Sequence, residues 1–480
     1  MKHFELITED ELLEINIALY LAEQSNFVST EQLISIFNFP EKRLRKIVNT
    51  LQKDLIDFNE GEQVITVIRN KGVFFDVCLN DDLKRFIAFL LNKNRTITLL
   101  SEIIFGRVTS ISDYSSQFFI GESTIKRQLS DLRIFLKRYN LEISRGSYEI
   151  VGEEKQIQLF LYLFFWRITR GVVWPFDSID ENQMKLDVNN LISQLNVKSI
   201  TEIDKRRLMF YLAINKIRIS QSRTQLKNNT IDRENLELQL NLEIAEDSRA
   251  KYEDVELYYQ FFQSIGFTGD SNHDIKESEA TIATNKFMQF FEEKFFLIPG
   301  EHRKEVETWL FYCHSFSKQF VNFGCDINGY DYSEYINKYC KNLNIKLIEF
   351  IRLLKKETNL PLFEEEQYLS THYMMIFAKF DKLPIYEKKI RIVLESGLPF
   401  FARDFVINQI KSYLGKKYNI ELIDARFLDG NEKVDMALVT IPIKEISIKY
   451  EKAQLITINR DLSLNDLKKI EMKILSLKHA

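Results

Sequence analysis

The feature that most restricts the fold is an arrangement met twice in the first 152 residues: helices, a further helix with a basic outer face, then a β-hairpin. Thr8 with Glu11, and Ser29 with Gln32, form capping-box patterns that open two helices. After Phe39-Pro40 a third is expected, with Leu44, Ile47, Val48, Leu51 and Leu55 at helical spacing. Its other side carries Lys42, Arg45, Lys46 and Asn49, with Arg43 beside them. Val64 to Val77 then reads as two strands about a turn at Asn70 to Gly72, with Arg69 and Lys71 at the tip.

The order then returns. Helical segments from Asp82 to about Ser116 lead to Gly121 to Tyr139, where Ile125, Leu129, Leu132 and Leu136 form an apolar stripe. Lys126, Arg133 and Lys137 lie opposite it, with Ser123, Thr124, Arg127 and Gln128 near the end where recognition helices contact bases. The segment LEISRGSYEI, turning at Arg145-Gly146, supplies the second hairpin. One basic helix face is usually only a solvated surface. Repeated with its hairpin, it has the chemistry of a winged helix-turn-helix, in which one side packs on a scaffold while the other meets phosphates and base edges. Residues 1–80 and 81–152 are expected to be two such domains.

The rest of the chain reads as mostly α and multidomain. A length of 480 residues needs several cores, and 15 Gly and 7 Pro leave long helices uninterrupted. The net charge of -4 gives no global pull toward polyanions, so only local basic faces can hold one. From Glu153 to about Asp381 the helices include Gln156 to Ile168, Asp204 to Ser220, Val255 to Ile265, Glu301 to Phe320 and Glu364 to Phe380. The polar loop Gly269 to Glu277 divides them into bundles over 153–270 and 278–382. Phe210-Tyr211-Leu212-Ala213 resembles Phe311-Tyr312-Cys313-His314, consistent with duplication of the bundle. Residues 386–480 alternate strand and helix: Lys388 to Gly397, Ala402 to Leu414, Ile420 to Ala425, Met436 to Ile441, Leu464 to Leu477. A small α/β domain with a largely parallel sheet follows.

Catalytic signatures are missing, whether a Gly-rich phosphate loop, a metalloprotease helix or a nucleophile elbow, so a non-enzyme without cofactor, catalytic residues or metal site is expected. Cys78, Cys313, Cys325 and Cys340 are scattered, as reduced thiols in a cytoplasmic protein would be. The acidic N-terminus is no signal peptide, and the densest apolar stretch, Leu159 to Trp166, falls far short of the roughly 20 residues of a membrane span, so no membrane partner is expected. His314 and His372 each admit two readings. One is a satisfied core histidine, His372 having Tyr368, Leu369, Met375 and Ile376 on its flank; the other is a phosphoryl acceptor whose added charge shifts helix packing.

This serial arrangement resembles the Mga and AtxA family of Gram-positive virulence regulators. The likeness rests on the second basic helix running into YEIVGEEKQIQLFLYLFF, on VVWPF at Val172 to Phe176, and on EEQYLSTHY at Glu365 to Tyr373. It implies two phosphotransferase-system regulation domains at 153–270 and 278–382 and a domain like the IIB component of sugar permeases at 386–480. It further implies phosphocarrier proteins of the sugar-uptake system as partners, with His314 and His372 as phosphorylation sites. The first copy departs from the pattern, with Ala213 opposite His314 and Gln260 opposite His372. The last domain has Leu394-Glu395-Ser396-Gly397 where a IIB protein carries its phosphorylated cysteine, leaving the fold and a role in dimerisation. The resulting expectation is a cytoplasmic activator that binds double-stranded promoter DNA as a homodimer or higher oligomer. The competing readings are an RNA-binding antiterminator with the same regulation domains and a phosphotransfer component.

Overall fold

The computed structural model describes residues 6–24, 26–58, 65–68, 71–75, 80–194, 200–226, 278–325, 331–428 and 433–479. The chain is mostly helical and divides into two compact units, Met1–Thr281 with Phe311–Asp331, and Ile282–Leu310 with Tyr332–Ala480. Segment 278–382 contributes to both. The expected helix Val255 to Ile265 and loop Gly269 to Glu277, with Gln260, Cys78 and Arg69, lie outside the described residues.

In the first unit α1 (Glu9–Ala22), α2 (Thr30–Phe37) and α3 (Glu41–Phe58) precede β1 (Ile65–Ile68) and β2 (Gly72–Phe75). Both capping boxes form as expected: the Thr8 and Ser29 hydroxyls accept from the Glu11 and Gln32 N–H groups, whose side chains accept in return. The hairpin β1–β2 is antiparallel, and Val28 bridges to Val73 beside it through two backbone hydrogen bonds of 2.8 and 2.9 Å. Gly72 makes this close approach possible. Its φ is +111°, and a β-carbon there would stand 2.1 Å from the Val28 carbonyl oxygen. Gly72→Ala is therefore expected to cost about 3 kcal/mol, read as an earlier chemical-denaturation midpoint, because neither the strain nor the backbone clash can relax through a side chain.

After α4 (Asn80–Lys93) the layout recurs as α5 (Arg95–Ile104), α6 (Ile111–Phe118), α7 (Glu122–Lys137) and the short pair β3 (Glu142–Ile143) and β4 (Ile150–Val151). The offset of 81 that takes Glu41 to Glu122 also takes α2 onto α6. Along α3 and α7 it reproduces the sequence of buried, half-buried and exposed positions, differing only at Thr50/Asp131 and Phe58/Tyr139. Two sequences with few identities thus present one buried stripe and one free face in register.

The second hairpin runs directly into α8 (Glu154–Thr169), which is buried on nearly every side, as its apolar run Leu159 to Trp166 requires. Its Phe160 packs on Phe135 of α7 and on Tyr139 just beyond that helix. The Gln156 amide donates to the Tyr139 and Val321 carbonyls at 3.0 and 2.7 Å. Around α8 lie α9 (Glu181–Gln194) and α10 (Glu202–Leu226), with Trp174, Phe176 and Phe210 ring to ring and Arg218 clasping Glu154 at 2.9 and 2.7 Å. The expected VVWPF segment is therefore core aromatic packing.

Next in the chain come α11 (Glu279–Lys294), α12 (Gly300–Gln319), α13 (Ser333–Tyr339), α14 (Lys341–Thr358) and α15 (Glu366–Lys379). In the second unit Phe287, Phe291, Phe350, Tyr373 and Phe377 form an aromatic core. A four-stranded parallel sheet follows, ordered β6 (Ile420–Asp424), β5 (Ile390–Glu395), β7 (Met436–Val439), β8 (Gln454–Thr457). Alternate residues of β5 face opposite ways. Ile390, Ile392 and Leu394 pack with Ile410 and Leu414 of α16 (Phe400–Leu414) and Ile470 and Ile474 of α18 (Leu464–His479), whereas Val393 packs with Ala437 and Tyr450, just beyond α17 (Lys444–Lys449). Strand β8, which sequence reading did not single out, is a four-residue edge strand without a buried residue. No helix among the described residues is long and apolar enough to cross a membrane.

Candidate nucleic-acid interface

The buried stripe of α7 (Ile125, Leu129, Leu132, Phe135, Leu136) fixes which of its residues can reach a ligand. Ser123, Lys126 and Arg127 are exposed at its N-terminal half and Thr124 is half-buried. Lys126 pairs with Glu122 at 3.1 Å on the helix surface, a bond water and salt weaken readily. Arg127 makes no ion pair among the described residues. Gln128, expected at the base-contacting end, is instead buried with its amide 3.3 Å from the Thr96 hydroxyl. It occupies the place of buried Ile47 in α3, a correspondence that the spacing from Ile125 already contains. Arg133 is half-buried and donates to the Ile143 carbonyl at 3.4 Å, tying the helix to its wing. Arg145 is exposed at the wing tip beside Gly146, whose φ of +101° makes the turn.

The first basic helix is more neutralised. Arg43 bonds Asp10 and Glu9 of α1 at 2.8 and 2.7 Å and lies 4.5 Å over the Phe39 ring. Arg45 is paired with Glu41 at 2.7 Å, and Lys46 stands 3.7 Å from Asp10. Lys42 is exposed, as is Lys71, whose ammonium rests 4.7 Å above Phe27. One exposed residue beside α7 drew no notice in the sequence: Phe119, in the turn before the helix.

The candidate phosphorylation sites are both buried. His314 is fully enclosed, and desolvation pulls its imidazole down to about 3 against a weaker opposing hydrogen bond with the Ala280 backbone. His372 places Nδ1 2.8 Å from the Tyr368 carbonyl and lies against the Tyr368 ring, with Trp309 donating to its own carbonyl. In the C-terminal sheet, Glu395 accepts from the Tyr450 hydroxyl at 2.8 Å and from Lys449 at 2.9 Å. Among the described residues no cluster of His, Cys, Asp and Glu could hold a metal.

Residues 79–165, spanning α4 to most of α8, match the Mga helix-turn-helix domain. The chain is also similar to two proteins of Bacillus anthracis. It is 25% identical over 184 residues to the capsule synthesis positive regulator AcpA, covering 38% of each chain. It is 19% identical over 201 residues to the capsule synthesis positive regulator AcpB, covering 42% of this chain and 41% of that one. The chain thus spans about two fifths of the length of the relatives it matches. These matches bear out the resemblance to the Mga and AtxA family, which is made up of transcriptional regulators and not of enzymes.

Proposed function

We propose that this chain is a DNA-binding transcription activator of the Mga and AtxA type, gripping promoter DNA chiefly through α7 and the wing at Arg145. The observation that carries the reading is Arg127, exposed on the free face of α7 and without an ion pair among the described residues, inside the segment that matches the helix-turn-helix domain. Lys42, Arg45, Lys46 and Lys71 of the first helix–hairpin repeat add phosphate contacts; Glu41 and Asp10 beside Arg45 and Lys46 make this the weaker part. Activation is favoured because both relatives are named positive regulators.

The same reading takes 153–270 and 278–382 as regulation domains and 386–480 as a IIB-like domain that joins two copies. Supporting self-association, Phe400, Phe401, Phe405 and Phe427 are exposed next to the C-terminal ends of β5 and β6. Phosphoryl transfer to His314 or His372 from a phosphocarrier protein requires the helices to open first, which couples the modification to packing.

A gel-shift series on duplexes selected by the protein from a randomised pool tests the core of this. With about six phosphates neutralised, affinity should fall about a thousandfold between 50 and 200 mM salt. Salt-independent binding, or displacement by hairpin RNA in preference to duplex, would reject it and favour an antiterminator.

A further inference from the structure

The turn joining α6 to α7 holds one residue in the left-handed region. In the first helix–hairpin repeat the corresponding residue is Asn38, with φ 55° and ψ 40°; in the second repeat it is Phe119, with φ 53° and ψ 42°. Both turns close in the same way, the residue's N–H bonding back to the Ile34 or Ser115 carbonyl. The fold therefore asks only for a left-handed residue. Asn adopts that conformation at low cost, whereas a bulky side chain is strained there. Phe119 is also 94% exposed and makes no ring contact among the described residues, although Phe118 beside it stacks on Tyr114 and Ile120 is buried. Strain and exposure are both unfavourable, and the turn needs neither.

What surrounds Phe119 indicates its use. It lies three residues ahead of Glu122, at the end of α7 that carries Ser123, Lys126 and Arg127. A recognition helix enters the major groove by this end, which brings the preceding turn to the groove's edge. The cations beside it favour a polyanion over an apolar protein surface, and the apolar group that a duplex offers in that groove is the thymine 5-methyl. Resting on the DNA-binding reading above, we infer that Phe119 is a specificity residue that packs against a thymine methyl at the margin of the α7 footprint.

The test uses the full chain and duplexes it selects from a randomised pool. Copies are made with single thymines replaced by deoxyuridine, which removes the methyl group alone. The wild type should lose about fourfold in affinity at one or two positions, the worth of one buried methyl. Phe119→Gly should bind the parent duplex about tenfold more weakly and be indifferent to those replacements. It should keep its affinity for unrelated duplex and melt at a higher temperature, since glycine takes the left-handed conformation freely. Equal binding of the selected duplex by wild type and a folded Phe119→Gly, or no thymine whose methyl matters, overturns the inference while leaving the DNA reading intact. If the wild type selects no duplex, both fall.

Discussion

Replacing Lys126 and Arg127 together with alanine is expected to weaken duplex binding about a hundredfold near 0.1 M salt and to reduce the log-log salt slope by nearly two. The size of the effect follows if the two cations meet phosphates or base edges at the centre of the proposed interface. Folding should be almost untouched. Both side chains are exposed, and only the surface pair with Glu122, worth a few tenths of a kcal/mol, disappears. The matching change in α3, Arg45 and Lys46 to alanine, should cost less, because Glu41 and Asp10 already compensate much of that charge. Should the α3 pair prove decisive and the α7 pair neutral in a filter-binding titration, the assignment of the principal reading helix is reversed.

The asymmetry between the two basic helices was not legible in the sequence, whereas their existence was. An apolar stripe at helical spacing and a capping box are local, so α1, α2, α3 and α7 appear with their bounds nearly right. The ion pairs that bind Arg43 reach back to α1, 33 and 34 residues earlier, and no spacing rule carries that information. Gln128 is a different lesson. It is polar, yet its position three residues after Ile125 belongs to the packed side, so residue type misled where register would have corrected. Register also holds the signal for Phe119, visible only once the two helix–hairpin repeats are aligned at the offset of 81 and Asn38 falls opposite it.

The C-terminal sheet was legible where strands are buried on both faces, as in β7, whose run is continuously apolar, and in β5, where only Arg391 and Glu395 interrupt it. Its edge strand β8 lacks that pattern and escaped. The histidines were correctly placed on helices, but sequence left their environment open. His314 turns out enclosed in the first unit while His372 belongs to the second.

That enclosure makes His314 the strongest source of pH dependence expected in the molecule. Its folded imidazole titrates near 3, against about 6.5 in the unfolded chain. Between those values the unfolded state holds a proton that the folded state excludes. Stability is therefore complete above about pH 6.5 and falls by about 1.4 kcal/mol for each unit below it, reaching about 5 kcal/mol near pH 3. Glu14 acts with the opposite sign. Burial, aided by Asp54, raises its carboxyl to about 8, so the folded state keeps a proton the unfolded state has lost, and stability falls as pH rises from about 4.5 through 8. Wild-type protein should thus show a broad optimum between pH 4.5 and 6.5, where the two effects oppose each other. In Glu14→Gln the denaturation midpoint should fall steadily from pH 6.5 downward, exposing the histidine. In His314→Gln that acid limb should shrink to what the paired carboxylates alone produce. An identical acid limb in wild type and His314→Gln would mean that the ring takes up its proton without unfolding. The proposed coupling of His314 modification to helix opening would then lose its thermodynamic support.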